Sequence, residues 1–179
     1  MNLSDNSSLQ DLRGRKNIFL IGFMGSGKTY WGKLWADKSG LQFFDLDALI
    51  EQKEKKTVAA IFEEDGETYF RQCETVMLET FTKKTNCIIA CGGGTPCFNN
   101  NMQWMNEHGT TVYLSATTGD IFKRVITEQE KRPLIKGFSE NELLQFIENK
   151  LKEREPVYKT AKILLSVSSI TGDTINTIA

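Results

Sequence analysis

The 179-residue sequence has a single histidine, His108, no basic excess and no apolar run long enough to cross a bilayer, and each shortage closes off a class of function. A formal charge of −1 argues against a protein held to nucleic acid by bulk electrostatics, because such domains carry a clear basic surplus. Any anion bound here is therefore held by a few placed cations. No segment approaches the roughly 20 apolar residues of a membrane helix, so no membrane partner is expected. The four cysteines, Cys73, Cys87, Cys91 and Cys97, fit no zinc pattern well, although Cys87 and Cys91 have the separation of a ligand pair. Alternation along a strand buries Cys87 and Cys91, and the four are read as reduced structural thiols of a cytoplasmic protein. Residues 1–16 are rich in Ser, Asn and Asp and lack the apolar core of a signal peptide; they are expected to form a mobile extension. No repeat or low-complexity segment follows, and the remaining length suits one domain, residues 17–179.

What is present is a regular alternation of short apolar runs and helical patterns. Asn17–Ile21 (NIFLI) ends at a glycine-rich turn, as a fully buried parallel strand does. Thr29–Ser39 follows as a helix with Trp31, Leu34 and Trp35 on its apolar side and Gly40 at its end. Gln42–Asp45 (QFFD) gives a second strand, and helical stretches run through Leu49, Ile50, Val58, Ile61, Phe62, Val76, Met77, Leu78 and Phe81. Cys87–Ala90 (CIIA), Thr111–Leu114 (TVYL) and Ile163–Ser166 (ILLS) supply three more strands. Helices are expected over about Ile121–Thr127 and Glu140–Lys159, with a polar loop or lid containing Arg132, Pro133 and Gly137 between them. Strands alternating with helices imply parallel pairing through right-handed crossovers, hence an α/β fold on a central parallel sheet. A short helix from Asp173 is the most that is expected of the tail.

Gly22-Phe23-Met24-Gly25-Ser26-Gly27-Lys28-Thr29 follows the pattern G-x-x-x-x-G-K-[ST] between the first strand and the first helix. Its glycines let successive backbone N–H groups converge on phosphate oxygens, the helix start adds positive partial charge, and Lys28 bridges the outer phosphates. Thr29 places its hydroxyl on magnesium. ATP or GTP binding follows. No N-K-x-D segment is present to read guanine, and the chain offers instead cations and carboxylates suited to a small second substrate.

Asp45-Leu46-Asp47 stands at the end of the second strand, where open α/β sheets bind ligands. If the extended backbone persists, both carboxylates share one side, one near magnesium and one near an acceptor hydroxyl. Alternatively Asp47 caps a helix starting near Ala48. Arg71 and Glu74 lie three residues apart on one helix face, either as a rigid fork for a substrate carboxylate or as an exposed helical salt bridge. Gly92-Gly93-Gly94 is a close-approach turn or merely a flexible one.

GFMGSGKT, the DLD pair, G-E-x-x-F-R-x-x-E from Gly66 to Glu74, the triple glycine, Arg132-Pro133-Leu134, and Arg154 followed by Tyr158 occur in the order seen in shikimate kinases. From about Asn17 to Leu165 the chain resembles that family. The resemblance implies a three-layer P-loop kinase fold like that of nucleoside monophosphate kinases: a five-stranded parallel sheet in the order 2-3-1-4-5 flanked by helices, with a mobile lid at about 128–139. It implies a monomer that transfers a phosphoryl group from ATP, with Mg2+, to shikimate. Asp47 is then the candidate base on the ring hydroxyls, Arg71 and Arg154 hold the carboxylate, and Glu74 orients Arg71. Gly92, Gly93 and Gly94 approach the ring through the backbone, and Phe62 and Phe70 line its apolar side. ATP lies on Gly25, Ser26, Gly27, Lys28, Thr29 and Tyr30, with Arg124 against adenine. Thr29 and Asp45 face the metal, and Lys28 and Arg132 stabilise the transferring group. Two rivals remain: a gluconate-type kinase, set apart by the Arg71 and Arg154 pair, and a non-catalytic nucleotide-binding regulator, expected to have lost Asp47, Arg132 or Lys28.

Overall fold

Strand β1 (Asn17–Ile21) is buried along its whole length, as a strand with apolar side chains on both faces requires. Ile18 and Leu20 join Ile88, Val112 and Leu114 in one layer. Phe19 and Ile21 join Cys87, Ile89 and Tyr113 in the other. This period of two places β1 at the centre of the molecule. The computed structural model describes residues 16–131 and 133–178; residues 1–15, which hold nearly all of the expected extension, and Arg132 lie outside them.

After β1 the chain runs through α1 (Lys28–Ser39), β2 (Gln42–Asp45), α2 (Leu46–Glu54), α3 (Val58–Glu64), α4 (Gly66–Glu79), β3 (Cys87–Ala90), α5 (Asn101–His108), β4 (Gly109–Ser115), α6 (Thr118–Val125), α7 (Glu140–Tyr158), β5 (Ile163–Ser166) and α8 (Ile175–Ile178), with short 3₁₀ turns between several of them. The sheet order is β2-β3-β1-β4-β5, and every pair is parallel. Helix α6 starts earlier than the apolar pattern placed it, because the Thr117 side chain caps the Asp120 N–H, and at Ile126 it passes into a 3₁₀ segment. β4 outruns its apolar core in both directions, since it pairs with β1 from Gly109 opposite Asn17 and with β5 as far as Ser115 opposite Ser166.

Trp35 and Ala36 of α1 cover one face of the sheet together with Ile170, Ile175 and Ile178. The short tail is thus a sealing element, tied to α1 by Trp35 Nε1 donating to the Thr171 carbonyl at 3.2 Å and by the Lys38–Asp173 ion pair at 2.8 Å. The other face is covered by residues of α2, α3, α4, α5 and α7, among them Leu46, Ile61, Phe70, Met105 and Tyr158. A third cluster (Phe23, Ile121, Val125, Ile135, Leu143 and Ile147) joins the first glycine-rich loop to α6 and α7. All four thiols are free, and burial pushes the Cys91 thiol well above its usual range. Among the described residues no cluster of His, Cys, Asp or Glu is arranged to hold a metal ion, and no helix is long and apolar enough to cross a membrane.

Gly109 marks where α5 hands over to β4. A Cβ there would lie 2.3 Å from the Asn17 carbonyl oxygen and 2.7 Å from the Phe19 ring, at the start of the β1–β4 ladder. Gly109→Ala is expected to destabilise the fold by about 1–3 kcal/mol, the usual cost of overpacking, read as a lower urea midpoint with an unchanged slope.

Candidate active site

The first glycine-rich loop turns through left-handed backbone at Gly25 (φ 76°) and Gly27 (φ 90°), conformations that a side chain resists. Gly27 delivers the chain into α1, so the helix starts at Lys28 with its free N–H groups facing the loop. Lys28 Nζ donates to the carbonyls of Gly22 and Phe23 at 2.8 and 2.9 Å, holding its ammonium over the loop. Arg124 Nη1 donates to the Gly25 carbonyl at 2.9 Å, which places that arginine beside the cradle. Tyr30 is exposed, edge-on to Trp31 at 5.1 Å between ring centroids. Thr29 Oγ1 donates to Asp45 Oδ2 at 2.8 Å. A hydroxyl and a carboxylate side by side at the mouth of a phosphate cradle are hard oxygen donors of the kind magnesium takes.

The extended backbone does not persist through the DLD pair. β2 stops at Asp45, whose side chain caps the Ala48 N–H at 3.4 Å, so the capping carboxylate is Asp45 and not Asp47. Asp47 falls in the first turn of α2, and its Oδ1 is buried with no hydrogen-bond partner among the described residues. Burial, then the negative charges of Glu74 and Asp45, with Glu51 adding a little, push the Asp47 carboxyl up from 3.8 to about 7 against the pull of Lys28.

Arg71 and Glu74 are not an exposed helical pair. Glu74 is fully buried and Arg71 is 6% exposed. The guanidinium donates to Glu74 from Nη1 at 2.8 Å and to Glu67 from Nη2 and Nε at 2.8 and 3.1 Å, over the Phe98 ring at 4.4 Å. Burial opposes the charged guanidinium, but Glu74 and Glu67 outweigh it and raise its pKa. Glu74 also accepts from the Thr95 hydroxyl, and burial still holds its carboxyl above the ordinary value. Gly94 is required here, because a Cβ would sit 2.5 Å from Arg71 Nη1. Arg154 comes in from α7, 8% exposed, with its Nε buried and lacking a hydrogen-bond partner among the described residues. One turn later, the Tyr158 hydroxyl donates to the Gly93 carbonyl and pins the glycine turn.

These parts frame two adjoining cavities. One, of about 590 Å³, follows the phosphate loop and is lined by Gly25, Gly27, Lys28, Thr29, Tyr30, Asp45 and Arg124. The other, of about 480 Å³, takes Arg71, Arg154, Glu74, Phe62, Phe70 and Gly94. Met24, Asp47, Gly92 and Gly93 belong to both. Ser26 lines neither: it is fully buried beneath the loop. Met24, with Glu51, Thr57, Val58, Ala59 and Leu134, completes the lining of the second cavity, and none of the six was assigned a role in the site from sequence. The Thr57 hydroxyl caps Ala60 at the start of α3, a signal that an N-cap search of the VAAIF stretch would have found. Of the expected lid, Gln129 Nε2 donates to the carbonyls of Ile135 and Phe138 at 2.9 and 2.6 Å, and the Ile135 side chain is buried. Arg132 lies outside the described residues.

A phosphate cradle on a parallel sheet of this strand order, opening onto a second cavity with two arginines, makes the molecule a kinase of the P-loop class. A family model described as shikimate kinase matches residues 24–177. The chain is 44% identical over 161 residues to a shikimate kinase of Azobacteroides pseudotrichonymphae, covering 89% of this chain and 95% of that one. Among solved structures, shikimate kinase from Bacteroides thetaiotaomicron matches with a TM-score of 0.83 at 38% identity, over 90% of this chain and 93% of that one. Shikimate kinase from Acinetobacter baumannii, in complex with shikimate, matches with the same TM-score at 31% identity over 94% and 93%. The chain belongs to the shikimate kinase family.

Proposed function

We propose that this chain transfers the terminal phosphoryl group of ATP to the 3-hydroxyl of shikimate, giving shikimate 3-phosphate and ADP on the way to chorismate and the aromatic amino acids. The observation that carries the proposal is the place of Asp47, a half-buried carboxylate shared between the cradle cavity and the arginine cavity. A group transferred from one cavity to a hydroxyl in the other passes this carboxylate. Arg71 and Arg154 hold the acid's carboxylate in charge-assisted hydrogen bonds, which gives the orphaned Arg154 Nε an acceptor. Phe62 and Phe70 take the apolar side of the ring, and Gly92, Gly93 and Gly94 admit it against the backbone.

With the acid so held, its 3-hydroxyl faces Asp47, whose raised pKa suits a base that takes the proton as the new P–O bond forms. Lys28 turns from the loop carbonyls to the phosphate oxygens. Thr29 and Asp45 would hold Mg2+, which would neutralise phosphate charge. Residues 128–139 act as the lid that excludes water, with Leu134 closing on the acid. In this reading Arg132 stabilises the charge spread over the transferring group, and Arg124 packs against adenine. Incubation with ATP, Mg2+ and shikimate is expected to give a single monoester at the 3-position by phosphorus and proton NMR. Phosphate at another hydroxyl would contradict the geometry.

Gly94 provides a sharper probe of the arginine fork. A methyl group there displaces a guanidinium that two carboxylates hold in place. Gly94→Ala is expected to raise KM for shikimate by at least about tenfold, with KM for ATP within roughly twofold of the parent in steady-state assays.

A further inference from the structure

We propose that Glu51 is a positioning residue, which fixes the wall formed by the start of α3 in register with the helix that carries Asp47. The proposal rests on the shikimate reading of this cavity. Asp47 and Glu51 lie one turn apart on α2, hence on the same side of it, and both line the acid cavity. Glu51 Oε1 accepts from the Val58 N–H at 2.8 Å, reaching from α2 across the intervening turn to the next helix. That N–H belongs to the first residue of α3 and has no partner within the helix. Thr57 caps Ala60 with its own hydroxyl at 3.1 Å, so each of the two side chains satisfies one of the free donors of this helix start.

What the bond positions is specific. Thr57, Val58, Ala59 and Phe62 line the cavity, and the Phe62 ring lies 5.7 Å from the Arg71 guanidinium carbon. The connection from α2 passes through left-handed backbone at Lys55 (φ 55°), and Lys56 pairs with Glu64 and Asp65 at the far end of α3, not with α2. Thr57 is tied to its own helix and cannot register α3 against α2. Glu51 spans the two, so its loss leaves Asp47 in place while the wall against which the acid packs shifts.

Two variants separate this role from a general structural one. Glu51→Gln keeps an acceptor oxygen for the Val58 N–H, whereas Glu51→Ala removes it. Glu51→Ala is expected to raise KM for shikimate roughly tenfold, the size of one charge-assisted hydrogen bond, with KM for ATP unchanged. Glu51→Gln is expected to restore the parent value within about threefold. Exchange of the Val58 amide, followed by NMR without any substrate, is expected to speed up in Glu51→Ala and stay near the parent rate in Glu51→Gln. Equal impairment in both variants overturns the proposal. So does an unaltered Val58 exchange in Glu51→Ala, or faster exchange with an unaltered KM for shikimate. If the parent protein phosphorylates no shikimate, the functional reading fails on its own, and the amide exchange still decides whether Glu51 holds α3.

Discussion

Asp47→Asn is expected to cut turnover with shikimate by about 10²–10⁴-fold, the usual contribution of a positioned general base, while ATP affinity changes little. Asparagine keeps the shape and cannot take the proton. The same variant is expected to be more stable than the parent at pH 8 without nucleotide or metal. The Asp47 carboxyl titrates near 7 in the fold against 3.8 as the ordinary value, chiefly through burial and then through repulsion from Glu74 and Asp45. A carboxyl whose pKa is raised on folding favours the fold while protonated, so its contribution is full below about pH 4 and is lost as pH rises towards 7. Above that, the folded protein carries a buried, repelled charge that asparagine removes. The gain is a few kcal/mol at most, or several degrees in Tm for a chain of this size. Thermal melts at pH 5 and pH 8 check it: the parent loses stability across that interval relative to the variant. A site that gives up stability for a poised base shows this pairing of lost turnover with gained stability.

Arg71→Met is expected to damage both fold and function. Shikimate binding weakens by roughly ten- to a hundredfold, the value of a charged hydrogen bond to a carboxylate. Stability drops by about 3 kcal/mol, because Glu74 has no exposure and keeps only the Thr95 hydroxyl among the partners seen for its carboxylate. Adding Glu74→Gln removes the stranded charge. The double variant is therefore expected to recover most of the denaturation midpoint and none of the shikimate affinity. Recovery of both would mean that Arg71 serves the fold alone.

Much of the fold was legible because the signals were local. NIFLI, QFFD, CIIA and ILLS are bounded by glycines or polar turns, and all four strands have the predicted limits. The phosphate loop declared itself through its pattern and its place between strand and helix. The limits of β4 were less legible, because Gly109 and Thr110 are strand residues only through their pairing with β1. Which aspartate caps α2 depends on where that helix starts, expected near Ala48 and found at Leu46, and a sequence places a helix start only to within a residue or two. Arg71 and Glu74 could be paired by spacing, but their burial comes from Thr95, Phe98 and Gly94, which lie beyond β3 in the chain. The wall from Thr57 to Ala59 carries no charge pattern at all. It becomes part of the site because α3 packs against α4 and is bonded to α2 beside the cavity.

The most direct test of the account is ADP release by the purified protein with ATP and Mg2+ and, in parallel, shikimate, gluconate or no acceptor. Sustained release with shikimate alone is the predicted result. Release that is equal with gluconate, or that shikimate does not stimulate, would contradict it.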